Sequence, residues 1–290
     1  MSAQLKQQAI DISPDSAESI HQDETQQRKL SDREIPQRLR LLSYNIQTGT
    51  STANYRHYLT RSWRQLLPNT ERMNNLSNIA RVVADYDVIG LQEVDAGSLR
   101  SGFINQTEYI ADKAQFPYWF HQTNRRLGKL AQHSNGVVSR FRPLTVDDHK
   151  LPGPIPGRGA MFVYFGSYHN PLVIVIMHLA LGKRTRLRQL SYVASQLRKY
   201  EHVIVMGDLN CPSNSIEVKL LINNANLREP KHDLLTFPSW NPERNIDHIL
   251  VSPSLRVEKV SVLNCTYSDH LPIAMEVILP ESFNMKSGMV

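Results

Sequence analysis

Only two of the 290 residues are cysteine, Cys211 and Cys265. That is too few for a disulfide framework and suits a reducing compartment. No apolar run approaches the roughly eighteen residues that a membrane-spanning helix needs, so no transmembrane segment is expected. The opening stretch, "MSAQLKQQAIDISPDSAESI", has neither a basic start followed by an apolar stretch nor a small-residue cleavage site. A cytoplasmic location is the expectation. Internal repeats are also lacking, which excludes solenoids and propellers.

Apolar residues make up 41% of the chain, enough for a sizeable core in one large domain. The net charge of +6 is unevenly spread: residues 1–36 sum to −3 and the remainder to +9. The first 36 residues, rich in Gln, Ser, Asp and Glu, are too polar to offset the entropy of ordering and read as a disordered acidic tail. A single domain is expected over 37–282, with 283–290 as a short C-terminal tail. Its basic balance favours anionic partners such as nucleic acid or an anionic membrane face.

Within that domain, apolar runs rich in Val, Ile, Tyr and Phe alternate with amphipathic stretches. Nine runs read as strands: 39–46, 87–94, 135–141, 159–166, 171–179, 202–209, 246–252, 256–263 and 271–279. Helical spacing appears in "TERMNNLSNIARVVADY", with Thr70 as the expected N-cap, in "TRLRQLSYVASQLRKY", and after "CPSNS". "LVIVIM" and "VIVM" are apolar at every position, so both of their faces are covered. With few helices to supply that cover, two sheets packed on each other and flanked by helices are expected.

Polar residues gather where these runs end: Asn45 in "SYNIQTG", Glu93 in "IGLQEVD", His178 in "VIMHLALG", and Asp208 and Asn210 in "VIVMGDLNCPSN". Asp247 opens "IDHILVS", and Asp269 and His270 precede the last run in "SDHLPIAMEV". Taken singly, an Asn or Asp at a strand end is ordinarily a turn residue. Taken together, they place a set of acids, amides and histidines where a rigid scaffold would hold catalytic groups.

Seven blocks, "LRLLSYNIQTG", "DVIGLQEVD", "NGVVSRF", "MHLALG", "VIVMGDLNCPSNS", "RNIDHILVS" and "SDHLPIAMEV", follow one another as in the endonuclease/exonuclease/phosphatase superfamily. The chain resembles that superfamily, whose members are similar to deoxyribonuclease I, over roughly residues 38–280. The resemblance implies an α/β (α+β) fold: a four-layered α/β/β/α sandwich of two packed, mostly antiparallel sheets, with the active site at one edge. It implies a hydrolase of phosphoric esters, and a phosphodiesterase cleaving nucleic acid is the leading expectation. A phospholipid or phosphoinositide enzyme of the same fold is the alternative, and an inactive binding module the third reading. "MHLALG" resembles the two-histidine branch rather than the abasic-site endonucleases, where a "YxPN"-like segment is expected.

By this resemblance Glu93 is the main ligand of Mg²⁺ or Mn²⁺, with Asn45 as a neutral ligand or orienter and Asp269 completing a metal or hydrogen-bond shell. Asp208 orients or deprotonates the attacking water, and Asn210 donates to phosphate oxygens. His270, held by Asp247, is an acid/base or electrostatic group, and His178 is the other candidate acid. Arg158, Asn135, Arg140, Lys183 and Arg184 are the candidates for substrate binding. Arg186 and Arg188 read as the solvated side of a helix, and "NRRLGKLAQHSNG" as a substrate-facing loop with His133 or Asn135 near the phosphate. Trp240 is a candidate to stack on a base, and a monomer is expected.

Overall fold

The structure, a computed structural model, describes residues 37–50, 70–127, 131–154, 157–281 and 283. The expected tail at 1–36 and all but Phe283 of that expected at 283–290 lie outside the described residues. The elements, in chain order, are β1 (Arg38–Asn45), α1 (Thr70–Val83), β2 (Val88–Asp95), α2 (Gln106–Lys113), β3 (Tyr118–Leu127), β4 (Ala131–Ser139), β5 (Thr145–Lys150), β6 (Gly159–Phe165), β7 (Leu172–His178), α3 (Lys183–Leu197), β8 (His202–Asp208), α4 (Ile216–Ala225), β9 (Asp247–Val251), β10 (Arg256–Val262) and β11 (Ile273–Ile278). Thr70 is the first residue of α1 rather than its cap.

One sheet runs β10-β11-β1-β2-β4-β3 and the other β5-β6-β7-β8-β9. Every neighbouring pair is antiparallel except β1 with β2 and β7 with β8. Those two parallel pairs are the ones joined through α1 and α3, because a parallel neighbour needs a crossover connection. The consequence for function is direct: Asn45, Glu93, His178 and Asp208 all stand at the carboxyl ends of these four strands.

Three apolar clusters fill the spaces between the layers. Leu41, Met161, Ile174, Ile176, Ile204, Met206, Ile273 and Met275 meet between the sheets. Val173, Val175, Val203 and Val205, on the other face of the second sheet, pack with Leu190, Val193, Leu197, Val218 and Leu221 of α3 and α4. Leu42, Ile89 and Leu91 pack with Leu76, Ile79, Val83 and Ile110 of α1 and α2. Successive residues of a strand face opposite sides, so strands covered on both sides must be apolar throughout. β6, β7 and β8 accordingly bury all of their residues. Gly90 lets the sheets approach closely, since a Cβ there would lie 2.9 Å from both Ile176 and Met206 of the facing sheet.

The structure adds two strands and a helix to those the sequence pattern marks. β3 and β4 pair as antiparallel strands over "YWFHQTNRRL" and "AQHSNGVVS", so most of the presumed substrate-facing loop is sheet. β5 is an edge strand, and α2 is capped by Asn105, whose side chain accepts from the amides of Thr107 and Glu108.

Candidate active site

Strand pairing sets the row of site residues. In the second sheet His178 is the register partner of Asp208, and Asp208 is the partner of Asp247, so three strands deliver three groups side by side. Gly207 allows this register: its φ is +143°, and a Cβ would stand 1.9 Å from the carbonyl oxygen of Met177. Only glycine tolerates that backbone and that approach.

The first sheet supplies the facing wall. The β2–β4 register shifts between Leu91 and Val94, and Glu93 has a φ of +56° within that bulge. A bulge re-aims a side chain out of the regular alternation, and the Glu93 side chain, 30% exposed, is left open to solvent. Asn45 donates from Nδ2 to Asp208 Oδ2 at 3.2 Å and to Glu93 Oε1 at 3.4 Å. Its Oδ1 accepts from the Gln47 amide at 3.1 Å, so in this arrangement Asn45 orients the two carboxylates. Behind it, the left-handed residues Gln47 and Thr48 are tied down by Thr48 Oγ1 to the Glu93 carbonyl and by Gln106 Nε2 to the Thr48 carbonyl.

Asp208 is the centre of the cluster and is buried. His178 Nε2 lies 3.4 Å and His270 Nε2 3.9 Å from its Oδ2, while its Oδ1 accepts from the Asn210 amide at 2.9 Å. Burial and the neighbouring Asp247 carboxylate push Asp208 up to about 7, against the pull of His270. His270 Nδ1 donates to Asp247 Oδ2 at 2.8 Å, and Thr236 Oγ1 donates to the same oxygen at 2.5 Å. Burial alone would lower His270, but Asp247, by charge and hydrogen bond, raises it to about 10. The Phe237 ring packs against the imidazole with centroids 4.8 Å apart.

His178 is the opposite case. Arg158 Nη1 lies 2.9 Å from its Nδ1, and a guanidinium can only donate, so Nδ1 is an acceptor and the ring proton sits on Nε2. Burial, with the Arg158 charge beside it, lowers His178 to about 3. The two histidines therefore carry different charge at neutral pH. Asp269 is buried beside them, accepts from Ser268 Oγ at 3.2 Å, and is raised to about 6, chiefly by burial.

Asp208, Asp247 and His270 each offer an atom within 4.8 Å of the others, and Glu93 faces the same space. His270, charged and donating to Asp247, is not free to ligate, but solvent-open Glu93 beside buried Asp208 and Asp269 offers the carboxylate oxygens that a hard cation takes.

The remaining candidates divide. Arg158 belongs to the cluster. Asn135 is fully buried and spans the sheets, donating to the Gly159 carbonyl at 3.0 Å and to Gln122 Oε1 at 3.4 Å. It ties β4 to β6 beneath the rim. Arg140 is placed elsewhere: β4 runs antiparallel to β2, so its carboxyl end lies at the opposite rim, where Arg140 donates to the carbonyls of Tyr86 and Ala84 and covers the Phe116 ring. This placement removes it from the substrate face. Lys183 and Arg184 are exposed in the first turn of α3, just past His178. Arg188 is exposed too, but Arg186 is not a solvated residue: it forms an ion pair with buried Glu217 at 2.8 Å. Trp240 is half-buried, and the side chain of His133 lies outside the described residues. Thr236 and Phe237, which hold and cover the Asp247–His270 pair, carry no signal in the sequence beyond their nearness to Asp247.

The sequence profile of the Endonuclease/Exonuclease/phosphatase family matches residues 42–270. A search of curated proteins finds no significant match. Among solved structures, the fold is similar to an endonuclease/exonuclease/phosphatase from Beutenbergia cavernae, with a TM-score of 0.65 and 19% identity over 85% of this chain and 72% of that one. It is also similar to a mannosyl-6-phosphatase from Bacteroides thetaiotaomicron, with a TM-score of 0.62 and 20% identity over 83% of this chain and 100% of that one. The human Nocturnin catalytic domain aligns with a TM-score of 0.62 and 16% identity over 84% of this chain and 96% of that one. With the profile spanning most of the domain and the two-sheet sandwich in place, the chain belongs to the endonuclease/exonuclease/phosphatase family.

Proposed function

We propose that the protein is a Mg²⁺-dependent phosphodiesterase that hydrolyses nucleic acid, with Mn²⁺ as a substitute metal. The observation that carries this reading is the convergence on Asp208 of Asn45, His178 and His270 from both sheets. Asp208, with a proton affinity near neutrality, accepts the proton of the attacking water. The water oxygen bonds to phosphorus as the ester P–O bond opposite it breaks. His270, charged at neutral pH and fixed by Asp247, faces the departing oxygen and supplies its proton. His178, neutral with its hydrogen on Nε2, donates to a non-bridging phosphate oxygen alongside Asn210. Arg158 holds that tautomer and adds positive charge. Glu93, with Asn45 and Asp269 around it, would hold the metal, which polarises the phosphoryl group when bound.

Nucleic acid is favoured by the +9 charge outside the first 36 residues and by the exposed Lys183, Arg184 and Arg188 beside the site. No acidic residue occupies the first turn of α3, where the helix dipole would prefer one, so these cations are not placed for helix stability. A phospholipid substrate is the second reading, and it has its own observation. Phe103, Leu181 and Leu235 on loops and Ile216 at the start of α4, 43–77% exposed, follow or precede the strand ends that carry the site, although the segment around Phe103 reads as mostly polar in sequence. Exposed apolar side chains beside basic ones suit a lipid interface.

The test is hydrolysis of labelled DNA and RNA alongside phosphatidylcholine vesicles. Cleavage of nucleic acid with vesicles left intact supports the first reading, and the reverse supports the second. Cleavage of neither, nor of a generic diester, would overturn both.

A further inference from the structure

Behind the candidate active site lies a buried ion pair that the proposed chemistry does not use. His248 is adjacent to Asp247 on β9, so the two side chains face opposite sides of the strand. Asp247 serves His270, whereas His248 Nδ1 lies 2.8 Å from Glu229 Oε1 and its Nε2 lies 2.8 Å from the carbonyl oxygen of Cys211. Both partners are acceptors, so the imidazole donates from both nitrogens and is a buried cation paired with Glu229. Glu229 Oε1 also accepts from Ser213 Oγ at 2.9 Å, and Asn245 Nδ2 donates to that hydroxyl at 2.9 Å. One ion pair thus grips the chain at Cys211 and at Ser213, on the segment that leaves Asp208 and carries Asn210.

That segment needs gripping. Asn210 is held at φ +52°, a conformation a non-glycine residue keeps only when its surroundings over-determine it. Its flanks are fixed by the Leu209 amide to the Ile246 carbonyl at 2.9 Å and by the His248 bond to Cys211. Two apolar residues would fill the same volume at no stability cost, but they could not bond a backbone carbonyl.

We infer that Glu229 and His248 are a positioning pair that fixes the Asp208–Ser215 turn, so that the Asn210 side-chain amide, which also donates to the Leu179 carbonyl at 3.0 Å, meets the phosphate in the geometry of the transition state. The kinetic part of this inference rests on the hydrolase reading above. The structural part does not.

The test uses the full chain and Glu229→Gln, with bis(p-nitrophenyl) phosphate and Mg²⁺ for kinetics and amide hydrogen exchange for the turn. Exchange at 209–215 is expected to rise about tenfold or more, with the amides of β6 and β7 unchanged. The kcat is expected to fall about tenfold with KM nearly constant, and Asn210→Ala combined with Glu229→Gln to be no slower than Asn210→Ala alone within about twofold. Wild-type exchange in the turn, or losses that multiply in the double variant, would overturn the inference. Faster exchange in the turn with no phosphoester hydrolysis by the wild type would support the positioning pair and sink the hydrolase reading instead. Should Glu229→Gln not fold, Ser213→Ala removes one grip alone. It is expected to show the same pattern at about threefold, and wild-type behaviour in both readouts would overturn the inference.

Discussion

Asp208 and His270 lie 3.9 Å apart, and each holds its proton more tightly than the free side chain does. For His270 the cause is Asp247, so Asp247→Asn should lower the His270 pKa by more than about one unit, followed by NMR. The same variant should reduce kcat by about a hundredfold or more. An unchanged His270 titration would show that Asp247 does not set its charge. His178 gives a prediction of opposite sense. Its folded pKa, about 3, lies below the ordinary 6.5, so below pH 6.5 the unfolded chain takes up a proton that the folded protein refuses. His178 therefore contributes a loss of stability, on the order of a few kcal/mol, as pH drops from 6.5 toward 3, opposed over the same range by Asp208 and Asp269, whose raised pKa values make the folded protein take up protons first. In His178→Gln that acid-side loss should shrink, as denaturant unfolding across this range would measure.

At the level of elements, the strands that carry the site are those the sequence marks most clearly. β1, β2, β7, β8 and β11 are inner strands, and β9, though at an edge, buries every residue; the apolar runs of all six meet a polar residue abruptly at one end. That stop is what makes Asn45, Glu93, His178, Asp208 and Asp247 legible. β3 and β5, at sheet edges, escape the pattern because they lack an apolar run: "TVDDHK" buries no residue fully, and "YWFHQTNRRL" reads as polar loop. α2, with eight residues, is too short for a clear helical period. The roles of Asn135, Arg140, Glu229 and His248 depend on strand direction and on contacts between distant segments, which local pattern does not encode. Gly207 is the strictest requirement at this scale. Gly207→Ala would press a Cβ into the Met177 carbonyl and hold alanine at φ +143°, so a loss of about 3 kcal/mol or more is expected. Urea unfolding should show it, and a midpoint equal to wild type would mean that the β7–β8 register is looser than described.

Across the whole catalytic domain, charge and rim composition bear on the substrate. If a polyanion is bound, kcat/KM should fall steeply with added salt, and Lys183→Glu with Arg184→Glu should raise KM about tenfold and flatten that salt dependence. Activity insensitive to salt, together with loss of vesicle hydrolysis in Leu181→Asp, would favour the lipid reading. Among the described residues no helix is long and apolar enough to cross a membrane, so any lipid contact through helices would be peripheral. The most direct test of the central claim is hydrolysis of labelled single-stranded DNA, duplex DNA, RNA and a generic phosphodiester, in Mg²⁺ or in EDTA, by the wild type and by Asp208→Ala. Metal-dependent cleavage of a nucleic acid, reduced by about a thousandfold or more in a variant that still folds, is the predicted result. Cleavage that survives EDTA, or an Asp208→Ala enzyme as fast as wild type, would contradict the account.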